Sequence, residues 1–108
     1  MSGYVSVYMT ASSAEEAETI AMTLVGERLA ACVNILGGVR SVYRWNGAVQ
    51  ADAEVAMIAK TRAALFDALA AWVRSLHSYA VPCIVAWPIE AGDPAYLAWI
   101  GGETGGKG

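Results

Sequence analysis

The chain has 108 residues, of which 56% are hydrophobic and 16% are charged, and its formal net charge is −3. The length indicates one domain, and the acidic balance argues against nucleic-acid binding, which normally needs a basic surface. No run reaches about 18 apolar residues without a charge, so no membrane-spanning helix is expected. The N-terminus has no basic segment ahead of an apolar stretch, so we expect no signal peptide and a cytoplasmic location, where Cys32 and Cys83 are free thiols.

Apolar periodicity and turn residues predict four strands and three helices. In chain order they are a strand at 4–10, a helix from a Ser12 or Ser13 cap to about 31, strands at 32–45 and 48–60, a helix from a Thr61 cap to about 77, a strand at 83–87 and a helix at 94–100. Gly26 is expected to weaken the first helix without ending it. The glycine-rich stretch beyond the last helix predicts a flexible tail at residues 102–108.

Two features predict how the central strands are connected. Gly37 and Gly38 indicate a bulge or sharp bend inside the second strand. Asn46 and Gly47 predict a type I′ hairpin turn, because both residues tolerate a positive φ. The resulting order, β-α-β-β-α-β with a short C-terminal helix, is the ferredoxin-like pattern of an α+β sandwich.

The third and fourth strands are apolar on both faces, which is typical of strands that are covered on both sides. In this fold two helices cover only one face of the sheet. An open apolar sheet would be an interaction surface, so we expect identical subunits to pack their sheets together. Composition alone does not choose between two and three subunits.

Three patches of the chain closely resemble the divalent-ion tolerance (CutA) family. They are Ala30-Ala31-Cys32-Val33-Asn34-Ile35 with the hairpin Ser41-Val42-Tyr43-Arg44-Trp45-Asn46-Gly47, then His77-Ser78-Tyr79-Ala80-Val81-Pro82, then Gly92 followed by Tyr96-Leu97-Ala98-Trp99-Ile100. Glu54, Lys60 and Thr61 also match, whereas Ala80 and Cys83 stand where the family often has glutamates. The resemblance implies a single domain over residues 1–101 and a homotrimer. It also implies a non-catalytic role in divalent metal tolerance, especially to copper, with metal or a small ligand bound in clefts between subunits, as in PII-type proteins.

Cys32 and His77 are the predicted metal ligands for Cu²⁺ or another divalent cation, which the resemblance implies as the cofactor. A cysteine is a soft ligand, and a neutral imidazole binds copper or zinc. Two alternatives stay open: Cys32 as a small buried hydrophobic residue, and His77 as a residue at a helix C-terminus. Cys83 is expected in the core rather than at a metal. Because no Cys-x-x-Cys or His-x-x-x-His occurs, ligands would converge from separate segments or subunits.

A set of aromatic and basic residues is predicted to line an inter-subunit cleft for an anionic small molecule. Its members are Tyr43, Trp45, Lys60 and Tyr79, together with Arg40 and Arg44. The alternative is that these aromatics only stabilise the oligomer. Asp52 and Glu54 are expected to decorate an exposed end of the hairpin.

A second function class is a small-molecule hydrolase on the same fold, such as an acylphosphatase. That chemistry needs an anion cradle and an arginine near the end of the first strand. The segment Thr10-Ala11-Ser12-Ser13 contains neither a glycine-rich run nor an arginine. A nucleophile–base pair formed by Cys32 and His77 would require the fold to bring them together.

Overall fold

The computed structural model describes residues 2–105. Its elements are β1 (Tyr4–Ala11), α1 (Ala14–Gly26), β2 (Cys32–Trp45), β3 (Ala48–Arg62), α2 (Phe66–Leu76), β4 (Ile84–Pro88) and α3 (Pro94–Glu103), with a 3₁₀ turn at Ala63–Leu65 before α2. The strands form one antiparallel sheet in the order β2-β3-β1-β4. This arrangement confirms the predicted ferredoxin-like α+β fold.

The core lies between one face of the sheet and helices α1 and α2. Alternate residues of β1 point into it, and Val7 and Met9 are fully buried. They pair with Ala59 and Met57 of β3, which face the same side. The apolar stripes of the two helices contribute Ala17, Ile20, Leu24, Leu69 and Val73 to the same core. Burial on this face fixes the register of the sheet, since a shift of a strand by one residue would turn its core side chains to the other face.

The opposite face of the sheet, which we call the far face, is covered at one end by α3. Tyr4, Cys32 and Arg62 share this face by strand register. The hydroxyl of Tyr96 in α3 lies 3.4 Å from Cys32 Sγ, and Ile100 of α3 is fully buried. On the edge strand β4, Trp87 is 51% exposed and Val85, on the same face, is 45% exposed. The far face therefore presents apolar side chains to solvent within a single chain.

Strands β2 and β3 continue beyond the rest of the sheet as a two-stranded ribbon, residues 39–54. The last pair between β1 and β3 is Ala11 with Val55, so residues 39–45 and 48–54 pair only with each other. Each arm is about 23 Å long at about 3.3 Å per residue. The predicted type I′ turn at its tip is confirmed, with φ of 51° at Asn46 and 77° at Gly47. The predicted bulge is confirmed too, because the register shifts between Ile35 and Gly37.

The two main helices are shorter than the sequence predicts. Helix α1 ends at Gly26, where glycine is poorly helical, and Arg28 then adopts a φ of 60°. The predictions that Gly26 does not end this helix and that the helix continues to residue 31 were both wrong. Thr61 does not cap α2; it is buried at the end of β3 and donates a 2.7 Å hydrogen bond to the carbonyl of Leu29. Thr61 therefore makes a tertiary hydrogen bond and does not cap a helix.

The predicted tail is ordered as far as residue 105. Helix α3 runs through Glu103 rather than ending at residue 100, and Thr104 is buried. Arg28 donates to the carbonyl of Gly102 at 2.9 Å, and Arg62 donates to the carbonyl of Gly101 and to Thr104 Oγ1. The last carbonyls of a helix lack helical partners, and these guanidinium groups supply them. The predicted flexibility of residues 106–108 lies outside the described residues.

Candidate functional site

A cleft of about 800 Å³ lies between the ribbon and the loop that follows α2. The ribbon contributes Ser41, Tyr43 and Trp45 from one face of β2, since alternate residues of a strand share a face. It also contributes Asp52 and Glu54 from the same face of β3. The loop contributes residues 79–83, and Thr10 at the end of β1 lies at the base.

Two tyrosine–carboxylate pairs form the polar part of the cleft. Tyr43 donates a hydrogen bond to Asp52 Oδ2, and Tyr79 donates one of 2.8 Å to Glu54 Oε2. The bond to Asp52 raises the pKa of Tyr43, while burial and then the bond to Glu54 raise the pKa of Tyr79 to about 12. Both phenols therefore stay protonated at neutral pH and act as donors. The sequence prediction missed this role: Asp52 is exposed as expected, but Glu54 is half-buried and both carboxylates belong to the cleft.

His77 supports the cleft from behind. Its Nδ1 accepts a 3.0 Å hydrogen bond from the backbone N–H of Tyr79, so the ring proton is on Nε2, which donates to the Thr10 carbonyl at 2.7 Å. The imidazole is fully buried, and its centroid lies 4.6 Å from that of the Tyr79 ring. His77 is also the C-cap residue of α2, the position that the alternative interpretation expected. Both ring nitrogens are thus engaged by backbone groups.

Glu16 ties the start of α1 to the same loop. Its Oε1 accepts hydrogen bonds from the backbone N–H and the hydroxyl of Ser12, and its Oε2 accepts one of 2.7 Å from the backbone N–H of Ser78. Burial opposes ionisation of this carboxyl, but the bonds from Ser12 and Ser78 outweigh it and lower its pKa to about 2. A charged Glu16 therefore anchors the residues that lead into the cleft.

The two predicted metal ligands lie in different parts of the chain. Cys32 is in register with Lys60, which pairs with Ser6, whereas His77 bonds Thr10, four residues further along β1. The distance along β1 from Ser6 to Thr10 is alone about 13 Å. Within residues 2–105, no three histidine, cysteine or acidic side chains are placed to hold a metal ion together. The assignment of Cys32 and His77 as metal ligands stays a prediction, since the two residues do not meet within one chain.

Only part of the predicted ligand set meets in the cleft. Tyr43, Trp45 and Tyr79 line it, and Arg44 joins them, but Lys60 and Arg40 do not. Lys60 lies on the far face and donates a 2.6 Å hydrogen bond to Asn34 Oδ1. It is six residues from Glu54 along β3, about 20 Å, so strand geometry places it outside the cleft.

Cys83 is not in the core, contrary to the expectation from sequence. It precedes β4, is exposed and lines the cleft. Burial of part of the side chain raises the pKa of the thiol, and the nearby charge of Glu54 adds to this effect. The cleft therefore holds a protonated thiol beside its carboxylates.

An α+β ferredoxin-like sheet with a long β2–β3 ribbon and a cleft at its base defines the structural class. The chain belongs to the CutA1 divalent ion tolerance protein family, whose profile matches residues 5–103. The resemblance expected from the sequence is thereby confirmed. In the described part of the chain, no helix combines the length and apolar character needed to cross a bilayer.

Individual relatives agree with this assignment. The divalent-cation tolerance protein CutA of Thermus thermophilus is 50% identical over 99 residues, covering 92% of this chain and 96% of that protein. The solved structure of the protein from the same species has a TM-score of 0.93 at 48% identity and covers 94% of this chain and 99% of its own. The chloroplastic CutA 1 of Oryza sativa is 46% identical over 98 residues, or 91% of this chain, which spans only 55% of that relative. The family name describes tolerance to divalent ions and not a reaction.

Proposed function

We propose that this chain forms a cytoplasmic homotrimer that acts in divalent metal tolerance, copper above all, by binding metal or a small ligand at clefts between subunits. The observation that carries the proposal is the apolar far face, where Trp87 and Val85 of the edge strand β4 are about half exposed. An apolar surface of this kind is typical of an interaction site. The two free cysteines suit a reducing compartment.

The ribbon supports the same proposal. Val42 is 71% exposed and Val49 is 67% exposed, both on the arms that pair only with each other. An isolated two-stranded hairpin is marginally stable in water. Packing of this ribbon face against another copy would bury these side chains. Tyr43 and Trp45, which are 40% and 48% exposed on the opposite face, would place the cleft at a boundary between subunits if a further copy packs there.

For the metal, the proposal retains Cys32 and His77 as ligands contributed by different subunits, which requires one ring nitrogen of His77 to release its backbone partner. Cys32 is the more accessible of the two, because the ring nitrogens of His77 already bind the backbone. A soft thiolate suits copper, as Cu(I), and also zinc. Substitution of the two residues should therefore have different effects. Loss of Cys32 should weaken metal binding alone, whereas loss of His77 should also disturb the loop that it holds.

Calorimetric titration of the purified oligomer with Cu(II) tests this function. We expect Cys32→Ser to weaken Cu(II) binding while the mass measured by light scattering stays the same. Cys83→Ser is the matched thiol control and should bind as the wild type does. Unchanged affinity in both Cys32→Ser and His77→Ala would remove the metal assignment.

The alternative function, a small-molecule hydrolase, has less physical support. A cysteine nucleophile needs a lowered pKa or an adjacent base. Within one chain the fold does not bring Cys32 to His77, and the pKa of the other thiol, Cys83, is raised. The ring of His77 holds two backbone groups and is fully buried. Turnover of an acyl phosphate by the purified protein, abolished by Cys83→Ser, would favour the hydrolase over the binding protein.

A further inference from the structure

We infer that the cleft between the ribbon and the 79–83 loop binds a small organic cation, an ammonium or guanidinium compound, and not the anion that the sequence suggested. The inference rests on the proposed ligand-binding function and names the class of ligand. It is carried by the charges, the aromatic rings and the size of the cleft.

The charges that line the cleft favour a cation. Asp52 and Glu54 are two carboxylates, and Arg44 is the one basic residue among the lining residues. Arg44 turns toward the hairpin tip, where its Nη1 lies 3.5 Å from the carbonyl oxygen of Gly47. Within residues 2–105, neither cleft carboxylate forms an ion pair with a lysine or arginine. Their partners are the neutral phenols of Tyr43 and Tyr79, which leave the negative charge uncompensated.

The pKa values of three titratable groups around the cleft are raised, and a neighbouring carboxylate contributes to each shift. The pKa of Tyr43 is raised by Asp52 and that of Tyr79 by burial and Glu54. The pKa of the Cys83 thiol is raised by burial and by Glu54. Negative charge disfavours a further anion at each of these positions, as it would disfavour a bound anion.

The aromatic lining suits an organic cation. Tyr43, Trp45 and Tyr79 all contribute to the wall, and Tyr43 and Trp45 lie on one ribbon face. Aromatic faces attract ammonium and guanidinium groups, and tryptophan does so best. Val81 and Pro82 add an apolar wall on the loop side, which would cover the alkyl part of such a ligand.

The size of the cleft and its donor geometry argue for an organic ligand over a bare metal ion. A bound Zn²⁺ or Ca²⁺ needs several donors within about 2.0–2.6 Å of one point. The described residues contain no such group of three acidic, cysteine or histidine side chains. A volume of about 800 Å³ lies within the range of small-molecule sites.

Calorimetry with choline as the probe tests the inference. Dimethylbutanol has the same shape without the charge, and acetate is the anionic comparison. We expect choline to bind the purified full-length oligomer about 10-fold more tightly than dimethylbutanol, within the range of a cation–π and charge contribution. Equal binding of choline and dimethylbutanol, tighter binding of acetate, or no binding of choline at millimolar concentration would overturn the inference.

Two variants locate the site. Glu54→Gln keeps an acceptor for Tyr79 but removes the charge, so choline binding should fall by about 10-fold while dimethylbutanol binding stays the same. Glu18→Gln removes an equal charge from the exposed side of α1 and should change neither. Unaltered choline binding in Glu54→Gln, in a protein of wild-type mass and melting temperature, would also overturn the inference.

The same samples separate this inference from the proposed function. Binding of choline without binding of Cu(II) supports the organic-cation site and contradicts the metal role. Binding of Cu(II) without binding of choline contradicts only the organic-cation site.

Discussion

The hydroxyl of Tyr79 donates a 2.8 Å hydrogen bond to Glu54 Oε2, and this bond joins the loop after α2 to the ribbon. Behind it, the backbone N–H of Tyr79 binds Nδ1 of His77, whose Nε2 binds the carbonyl of Thr10. The wall of the cleft is therefore one chain of contacts that runs from β1 through the loop to β3. Its rigidity depends in part on His77, which does not line the cleft.

Removal of the Tyr79 hydroxyl should destabilise the protein modestly. We expect Tyr79→Phe to lower the free energy of unfolding by about 1 kcal/mol, because a partly buried bond to a carboxylate is lost. Tyr43→Phe is the matched control, and its effect should be smaller because Tyr43 lies at the surface. Urea unfolding at fixed protein concentration measures both. A larger loss in Tyr43→Phe would contradict this ranking.

Replacement of His77 should cost more. His77→Ala leaves the Tyr79 N–H and the Thr10 carbonyl without their partner, and each unsatisfied buried group costs about 1–3 kcal/mol. We expect a loss of about 2 kcal/mol in the same assay and faster amide hydrogen exchange at Tyr79. Wild-type stability with slow exchange at that amide would show that the ring does not hold the loop.

The stability at acid pH should depend on Glu16. Its pKa falls from 4.5 to about 2 on folding, because hydrogen bonds from Ser12 and Ser78 outweigh the opposing effect of burial. The unfolded chain takes up this proton near pH 4.5 and the folded chain only near pH 2. The contribution is therefore complete above pH 4.5 and is lost as the pH falls through about 2.

We expect Glu16→Gln to be less stable at neutral pH and to show a shallower fall in unfolding free energy below pH 4.5. Glu18→Gln, on the same helix, should keep the wild-type slope. Urea unfolding over a series of pH values gives the three slopes. Identical slopes for wild type and Glu16→Gln would refute the assignment.

The end of α3 should depend on Arg62. Its guanidinium donates to the carbonyl of Gly101 and to Thr104 Oγ1. In Arg62→Met these groups lose a charged donor, so amide exchange at residues 101–105 should accelerate while exchange in β1 stays slow. Arg40→Met, on the exposed ribbon, is the control. Equal protection in wild type and Arg62→Met would contradict the proposed anchoring.

Local signals in the sequence were sufficient for the strand order and the hairpin. Asn46 and Gly47 predicted the turn because asparagine and glycine tolerate a positive φ whatever the rest of the chain does. The role of Glu54 was harder to predict, since it depends on a hydrogen bond from Tyr79. Tyr79 is 25 residues further along the chain and lies near Glu54 only in the folded protein. Strand register offered one usable signal: Asp52 lies opposite Ser41, on the ribbon face that also carries Tyr43.

The predictions of the helix ends and of the ligand set were wrong where they relied on local signals, because tertiary contacts decide these features. Gly26 and Thr61 were interpreted by local propensity, but the buried bond from Thr61 to Leu29 and the turn at Arg28 are tertiary features. Lys60 was grouped with the aromatics by chemical type, although about 20 Å of strand separates it from Glu54. Residue type identified the candidate ligand-binding residues, but the strand register decides which of them lie close together.

We infer that the far face and the ribbon need further copies of the same chain to cover their exposed apolar side chains. Light scattering coupled to size exclusion, on the purified protein at micromolar concentration, tests it most directly. The account predicts a single species of three times the 11.3 kDa chain mass. A folded, soluble species with the mass of one chain, stable on dilution, would contradict it.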